Sequence, residues 1–151
     1  MQKVEPAQGR LRQVKNIDAG FEKPKQLELE GDILLKIDET NNSQLALDLY
    51  NKALKDAPND FDILIKAGKC LDRKRDFESA SKLFQRALDE QPQSATAMFR
   101  YGWARFRAGD KDEGLKNMRA AVKIDHTNIS YVTKIAEVLM REGEPEHLEE
   151  A

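Results

Sequence analysis

Cysteine and histidine are scarce in this sequence. Cys70 is the single cysteine, and the two histidines among the 151 residues are His126 and His147. One cysteine excludes an internal disulfide framework, and neither histidine has a second ligand at the spacing of a metal site. A glycine-rich loop of the kind that cradles phosphate is also missing. We therefore expect no metal, no cofactor and no enzymatic activity, and we expect Cys70 to be a small buried apolar residue.

Long apolar runs and an excess of one charge are missing as well. No apolar stretch approaches the ~20 residues that cross a bilayer, and the N-terminus lacks the apolar segment of a signal peptide. Charged residues make up 34% of the chain, yet the formal net charge is only −2. Such a balance provides no overall attraction to nucleic acid or to an anionic membrane. We expect a cytoplasmic protein that does not associate with membranes.

What the sequence does contain is a period of 34 residues. Pro24, Pro58 and Pro92 stand one period apart. Small and large apolar residues keep the same spacing in four further sets: Ala53, Ala87 and Ala121; Ala46, Ala80 and Gly114; Tyr50, Phe84 and Met118; and Gly68, Gly102 and Ala136. A fixed period of this length is typical of solenoid proteins, in which each repeat is one supersecondary unit.

Each period predicts two helices. Asp60 is placed to cap a helix whose apolar residues recur at helical spacing, and Asp76 is placed to cap the next one. Pro92 then prevents the chain from continuing as a helix. The matching cap positions in the other periods hold Asn42, Ser94, Asp110 and Asn128. Small residues at Gly68 and Ala80 would let the two helices of a hairpin approach closely, and Gly102 and Gly114 would do the same one period later.

These residues resemble the signature of the tetratricopeptide repeat family. The segment Leu64-x-x-Ala67-Gly68-x-x-Leu71 … Ala80-x-x-x-Phe84-x-x-Ala87 … Pro92 follows that signature, with Leu64 where the family favours tryptophan. The resemblance covers roughly residues 26–142. It implies an all-α fold, a right-handed superhelix of antiparallel helix hairpins.

The period also divides the chain. We predict repeats at about 26–60, 61–94 and 95–128, followed by a final helix at 129–142. Residues 1–25 would form an N-terminal arm or a degenerate capping helix, and residues 143–151 an acidic tail. Solenoid ends need a polar outer face, and the final helix offers the charged residues Lys134, Glu137, Arg141 and Glu142 for that purpose.

The stretch Ala97–Gly109 combines aromatic residues with arginines. Phe99, Trp103 and Phe106 stand at i, i+4 and i+7, so they share one face of a helix. The resemblance implies that this face lines the concave groove. The matching places hold Ile65, Lys69 and Asp72 one repeat earlier, and Thr133, Glu137 and Met140 one repeat later. Rings left in water would forgo several kcal/mol of apolar burial, so we expect something to cover them. The candidates are a partner segment, the arm or tail of this chain, a second copy, or ordinary packing within the protein.

Lysines and arginines recur beside this stripe at the same period. They form two sets, seven residues apart on each helix: Lys66, Arg100 and Lys134, and Arg73, Arg107 and Arg141. Neighbouring packed helices lie about 8–10 Å apart, close to the Debye length, so these six cations predict a continuous positive strip. Carboxylates of a peptide would be its natural ligands. The plainer interpretation is that they are ordinary solvated residues, half of them near helix C-termini where cations are favourable.

We therefore predict a non-enzymatic module that binds a peptide segment with acidic and apolar residues in its concave groove, as an adaptor, a scaffold or a co-chaperone. The predicted groove residues are Ile65, Lys66, Lys69, Arg73, Phe99, Arg100, Trp103, Phe106, Arg107, Lys134 and Arg141. The alternatives are a module that self-associates into a homo-oligomer and a small chaperone of secreted proteins. An RNA-binding helical repeat is less favoured, because the net charge is negative and the aromatic residues cluster in one helix.

One subclass of the family binds the C-terminal carboxylate of chaperones with a lysine and an asparagine. The matching positions here hold Gly31 and Leu35, or Ile65 and Lys69 one unit later. Neither pair reproduces that clamp. We predict that this protein is not a receptor of that type.

Overall fold

The computed structural model describes residues 23–143, and the regular structure in that range is all α-helical. The helices are α1 (Lys23–Ile37), α2 (Ser43–Asp56), α3 (Phe61–Arg73), α4 (Phe77–Glu90), α5 (Ala95–Ala108), α6 (Lys111–Ile124) and α7 (Ile129–Glu142). The first six form three hairpins. Each helix packs mainly against the next one along the chain, and the interface between α6 and α7 is the smallest of these. The prediction of an all-α solenoid is confirmed.

The helices begin close to the predicted caps. Four of these side chains accept a hydrogen bond from the backbone N–H three residues later: Asp60, Asp76, Ser94 and Asp110. Asn42 and Asn128 also precede helices, but their side chains make no capping hydrogen bond. The Asn42 amide instead donates to the carbonyl oxygen of Leu34 at 2.9 Å, which ties the end of α1 to the start of α2.

Glycine allows close approach within the hairpins. A Cβ built at Gly68 would lie 2.5 Å from Cε1 of Phe84, so the ring rests directly on the backbone of α3. The nearest atoms to Gly68 therefore belong to Phe84 and not, as expected, to Ala80. In the third hairpin the expected pair does meet, because a Cβ at Gly102 would lie 2.6 Å from the carbonyl oxygen of Gly114.

The core has two parts that meet at α5. The first extends from α1 to α5 and contains the fully buried rings of Tyr50 and Phe84. The second lies between α5, α6 and α7 and contains the buried Ile135. Trp103 packs at the edge of this second part. One helix thus contributes to both parts of the core and also carries the aromatic stripe.

The predicted division of the chain can be compared with the helices at its two ends. The predicted boundary between residues 25 and 26 falls inside α1, which begins at Lys23 and has Pro24 in its first turn. Proline is well tolerated there, because the first turn has no intrahelical partner for its N–H. Residues 1–22 and 144–151 lie outside the described residues. The arm and the acidic tail stay predictions there.

The outer face of α7 differs from the expectation of a polar end. Ile129 is 79% exposed, Met140 63% and Val132 44%. The predicted charged residues are present, and Lys134 pairs with Glu137 at 3.0 Å, but they share the helix with these large apolar side chains. The expectation of a polar outer face was wrong.

Candidate functional site

A cavity of about 380 Å³ lies between the first helices α3, α5 and α7. Its lining residues are Asp72, Thr96, Phe99, Arg100, Trp103, Ser130, Tyr131 and Lys134. The three helices come from successive repeats, so the cavity follows from the stacking of equivalent positions. We call it the groove pocket.

Aromatic rings form one wall of the groove pocket. Phe99 of α5 stacks on Tyr131 of α7, with ring centroids 4.3 Å apart and planes inclined by 12°. Trp103 stands one turn further along α5, and Nζ of Lys134 lies 5.2 Å from its ring centroid. A cation at this distance from an indole face is attracted by the negative charge of the ring face. Sequence reasoning missed Tyr131, because no other aromatic residue stands at its position in the period.

Asp72 is the acidic residue of the groove pocket. Its Oδ1 atom is buried and has no hydrogen-bond partner within residues 23–143. Burial raises the pKa of the Asp72 carboxyl above its usual range, while the neighbouring Arg100, the Trp103 indole and Arg107 draw that pKa back down. The period places Asp72 on the groove side, one repeat before Phe106, but Asp72 was not among the predicted groove residues.

Positive charge is concentrated next to this carboxylate. Burial lowers the pKa of the Arg100 guanidinium, and the nearby Asp72 counteracts part of that effect. Burial also lowers the pKa of Lys69, and Arg100 and Arg73 lower it further through charge repulsion. Like charges held this close favour an anionic ligand, because it would relieve the repulsion among them.

A second cavity of about 300 Å³ adjoins the groove pocket and shares Asp72 and Trp103 with it. Arg107 lies between two rings there, with its Cζ 4.6 Å from the Phe77 centroid and 5.2 Å from the Trp103 centroid. Trp103 therefore has two cations at 5.2 Å from its ring centroid, Lys134 from α7 and Arg107 from its own helix. The indole is held in place without being fully buried.

The predicted strip of six cations is interrupted by acidic residues from α1 and the loop after it. Nζ of Lys66 lies 2.6 Å from Glu28 and 2.7 Å from Asp32, and Arg73 pairs with Glu39. Asp32 and Glu39 stand one period before Lys66 and Arg73, so the first repeat neutralises the cations of the second. Of the six cations, only Arg100, Arg107 and Arg141 make no ion pair within residues 23–143, and all three lie on α5 and α7.

The remaining predicted cations differ in their surroundings. Lys134 pairs with Glu137 on its own helix. Arg100 and Arg107 make no ion pair with any residue of the described range, although Asp72 lies close to both. Arg141 is exposed near the end of α7.

Two predicted apolar residues lie in the core and not on the open wall. Ile65 is 9% exposed and belongs to the first part of the core. Phe106 is 7% exposed, and a Cβ built at Gly114 would lie 2.6 Å from the Phe106 Cβ. Phe106 therefore packs onto α6. The i, i+4, i+7 stripe turns away from the groove after Trp103, and Met140, which matches Phe106 one period later, does not line the groove pocket either.

Metal binding, thiol reactivity and membrane insertion each require particular groups within residues 23–143. That part of the chain has no cluster of three histidine, cysteine or carboxylate side chains able to hold a metal ion. Cys70 is buried, and burial raises the pKa of its thiol, which disfavours the nucleophilic thiolate. Among the described helices, none has the length and apolar character needed to cross a bilayer.

Comparisons with known proteins agree with this architecture. Residues 65–128 match a family model described as tetratricopeptide repeat. A search of the curated proteins found no significant match. Among solved structures, the chain is similar to MamA from Desulfovibrio magneticus RS-1, with a TM-score of 0.82, 22% identity, and coverage of 95% of this chain and 80% of that one.

Two further solved structures are similar at the level of the fold. The first TPR of Spaghetti (RPAP3), bound to the HSP90 peptide SRMEEVD, aligns with a TM-score of 0.71 and 18% identity over 80% of this chain and 94% of that one. YrrB, described as a TPR protein with an unusual peptide-binding site, aligns with a TM-score of 0.71 and 19% identity over 85% of this chain and 65% of that one.

Proposed function

Because the chain is a tetratricopeptide repeat protein, we propose that it binds a segment of another protein in the groove lined by α3, α5 and α7. The observation that carries this proposal is the groove pocket itself. Stacked rings and a half-buried indole lie there beside Arg100 and Lys134. The two similar solved structures whose descriptions mention a peptide or a peptide-binding site support the same class of function.

The ligand that fits this pocket has an apolar side chain next to acidic ones. Phe99, Trp103 and Tyr131 offer apolar surface to a side chain of the ligand, and aromatic surface of this kind contributes much of the energy at protein interfaces. The guanidinium of Arg100 offers a bidentate contact to a carboxylate. Since the pocket holds about 380 Å³, it accommodates a few side chains and not a folded surface.

The ligand would occupy only part of the groove. Lys66 and Arg73 already have carboxylate partners from the first repeat, so they gain little from an acidic ligand. Arg100 and Arg107 gain more, because neither makes an ion pair with a carboxylate of residues 23–143. We therefore place the acidic residues of the ligand over α5 and α7.

Selection from a random peptide library displayed on phage tests this function. We expect enriched peptides to combine an aromatic or aliphatic residue with aspartate or glutamate. Their binding should fall at least about tenfold in Trp103→Ala and in Arg100→Glu, since each removes a contact worth about 1–3 kcal/mol, and it should weaken as salt rises. Lys82→Glu makes the same charge change as Arg100→Glu on the exposed face of α4 and serves as the matched control.

The outcome that contradicts the proposal is equally definite. If the selected peptides bind wild type, Trp103→Ala and Arg100→Glu with equal affinity, the groove pocket is not the binding site. Far-ultraviolet circular dichroism of each variant separates loss of binding from loss of the fold.

A further inference from the structure

The outer face of α7 is equivalent to a surface that is covered in every complete hairpin. Gly68 of α3 contacts Phe84 of α4, and Gly102 of α5 contacts α6. Ala136 stands one period after Gly102 and is the corresponding small residue of α7. Within the described residues, no second helix packs over it.

Met140, one turn after Ala136, is exposed where its equivalent in α5 is buried. Phe106 packs against α6 and is 7% exposed, whereas Met140, one period later, is 63% exposed. Val132 and Ile129 extend the same stripe towards the start of α7. We call Ile129, Val132, Ala136 and Met140 the end face. Their spacing of three, four and four residues makes one continuous apolar stripe along the helix.

We propose that the end face binds an amphipathic helix of another polypeptide, which would complete a fourth hairpin. The chemistry of this partner is given by the helices that cover the equivalent faces. These second helices present a small residue, a larger apolar residue four positions later and alanine three positions after that: Ala46, Tyr50 and Ala53 in α2; Ala80, Phe84 and Ala87 in α4; Gly114, Met118 and Ala121 in α6.

Ala136 adds a restriction on the size of the partner's central residue. A Cβ at Gly31 would lie 2.6 Å from Cε1 of Tyr50, and one at Gly68 would lie 2.5 Å from Cε1 of Phe84. An aromatic residue fits at this place only when the first helix has glycine. Ala136 has a Cβ, so at the same helix separation the partner must carry leucine, methionine or a smaller residue there. The preferred pattern is therefore alanine, leucine or methionine, and alanine, at spacings of four and three.

A peptide taken from this protein provides the probe. Residues 76–91 contain α4 with its cap Asp76, and they can be synthesised with Phe84 retained or with Phe84→Leu. Each peptide is titrated into the full chain labelled with ¹⁵N, and the amide signals are followed by NMR. We expect saturable shifts on α7. The leucine peptide should bind about tenfold more tightly, because Phe84 would be overpacked against the Cβ of Ala136 and an overpacked contact costs at least about that much in affinity.

The protein variant Ala136→Gly makes the test specific. Removing the Cβ should abolish or reverse the preference for the leucine peptide. Met140→Asp should prevent binding of both peptides. Leu45→Asp, which places the same charge on an exposed apolar position of α2, should leave binding unchanged.

Three results would overturn the proposal: neither peptide binds saturably, the shifts fall on the groove pocket instead of α7, or the affinity ratio is the same with alanine and glycine at position 136. Sedimentation equilibrium adds a fourth. If the protein alone dimerises and Met140→Asp dissociates the dimer, the end face belongs to a second copy. Trp103→Ala separates this test from that of the groove, since it should not affect binding at α7.

Discussion

Lys66 and Arg100 occupy the same position in successive repeats but differ in the charge that is available to a ligand. Lys66 contacts two carboxylates, Glu28 and Asp32, and their hydrogen bonds raise its pKa despite the opposing effect of burial. Arg100 lines the groove pocket together with Asp72 and makes no close ion pair within the described residues. A cation predicted from periodicity is available to an acidic ligand only if the preceding repeat does not supply a carboxylate that pairs with it.

The contact between Gly68 and Phe84 leads to the first prediction. Gly68→Ala places a methyl group against the Phe84 ring, so we expect a net loss of about 1–2 kcal/mol in the free energy of unfolding. The higher helix propensity of alanine, about 1 kcal/mol, offsets part of the larger steric cost. Urea denaturation measures this loss.

The matched control for this prediction is a double variant. Phe84→Leu removes the ring that the methyl group would meet, so Gly68→Ala should cost less in that background. Equal costs in the two backgrounds would show that the ring does not restrict position 68.

The second prediction concerns the titration of Asp72. Because burial raises its pKa in the folded protein above the unfolded value of about 3.9, the folded state binds this proton more tightly. The contribution of Asp72 to stability therefore falls as pH rises through the interval between the two pKa values, and it is constant above that interval. The single tryptophan, Trp103, lies beside this carboxyl and reports its titration by fluorescence.

We expect the emission of Trp103 to change with a midpoint above pH 3.9. The change should disappear in Asp72→Asn and persist in Asp62→Asn, which removes an exposed carboxylate from the same helix. A midpoint at or below the ordinary aspartate value would contradict the effect of burial.

At the scale of the helices, a cap residue that hydrogen-bonds to the helix should stabilise it more than a cap residue that only precedes it. Ser94 accepts a hydrogen bond from the backbone N–H of Ala97 at 3.2 Å, whereas Asn128 precedes α7 without a side-chain capping bond. We predict that Ser94→Ala lowers the free energy of unfolding by about 1 kcal/mol and that Asn128→Ala lowers it by a few tenths. Thermal or urea denaturation of the two variants provides the comparison, and equal losses would contradict it.

α5 has two structural roles that explain why it carries the site. One side of the helix packs into the hairpin through Gly102 and Phe106, and the other side presents Phe99 and Trp103 to the neighbouring first helices. The aromatic stripe therefore divides between core and groove. Helical spacing alone shows that Phe99, Trp103 and Phe106 lie on the same side of α5. It does not show which of them are buried against α6 and which line the groove.

At the scale of the whole molecule, stability should decrease towards α7. Repeat proteins are stabilised by interactions between neighbouring units, and among the described helices α7 has the smallest interface with the helix before it. We predict that backbone amides of α7 exchange with solvent faster than those of α3 and α4. Hydrogen–deuterium exchange followed by mass spectrometry tests this, and equal protection of α7 and α4 would contradict it.

The same exchange experiment also tests the link between α7 and the groove pocket. Ile135 and Leu139 hold α7 against α6, while Tyr131 stacks on Phe99 of α5. If α7 opens locally, the stack and one wall of the groove pocket open with it. A ligand bound in the groove pocket should therefore slow exchange in α7, since it binds only the closed state.

Much of the fold could be predicted because it depends on a repeated local pattern. The 34-residue period, the caps and the small residues specify helix hairpins, and the helix bounds follow them closely. The groove pocket was predicted less completely. Phe99, Arg100, Trp103 and Lys134 lie in it as the spacing indicated. Asp72 also lies in it, although it was not among the predicted groove residues, and Tyr131 became evident only from the packing of the three helices.

The sequence by itself determined that this chain forms stacked helix hairpins, because helical periodicity and capping are local properties that a 34-residue repeat displays three times. Only the tertiary structure decided which side chains remain accessible. Pairing of Lys66 with Asp32, burial of Phe106 and exposure of Met140 all depend on what the adjacent helix presents. The period places equivalent residues in equivalent positions. Their ion pairing and burial, however, depend on the side chains of the neighbouring repeat, and neighbouring repeats differ in sequence.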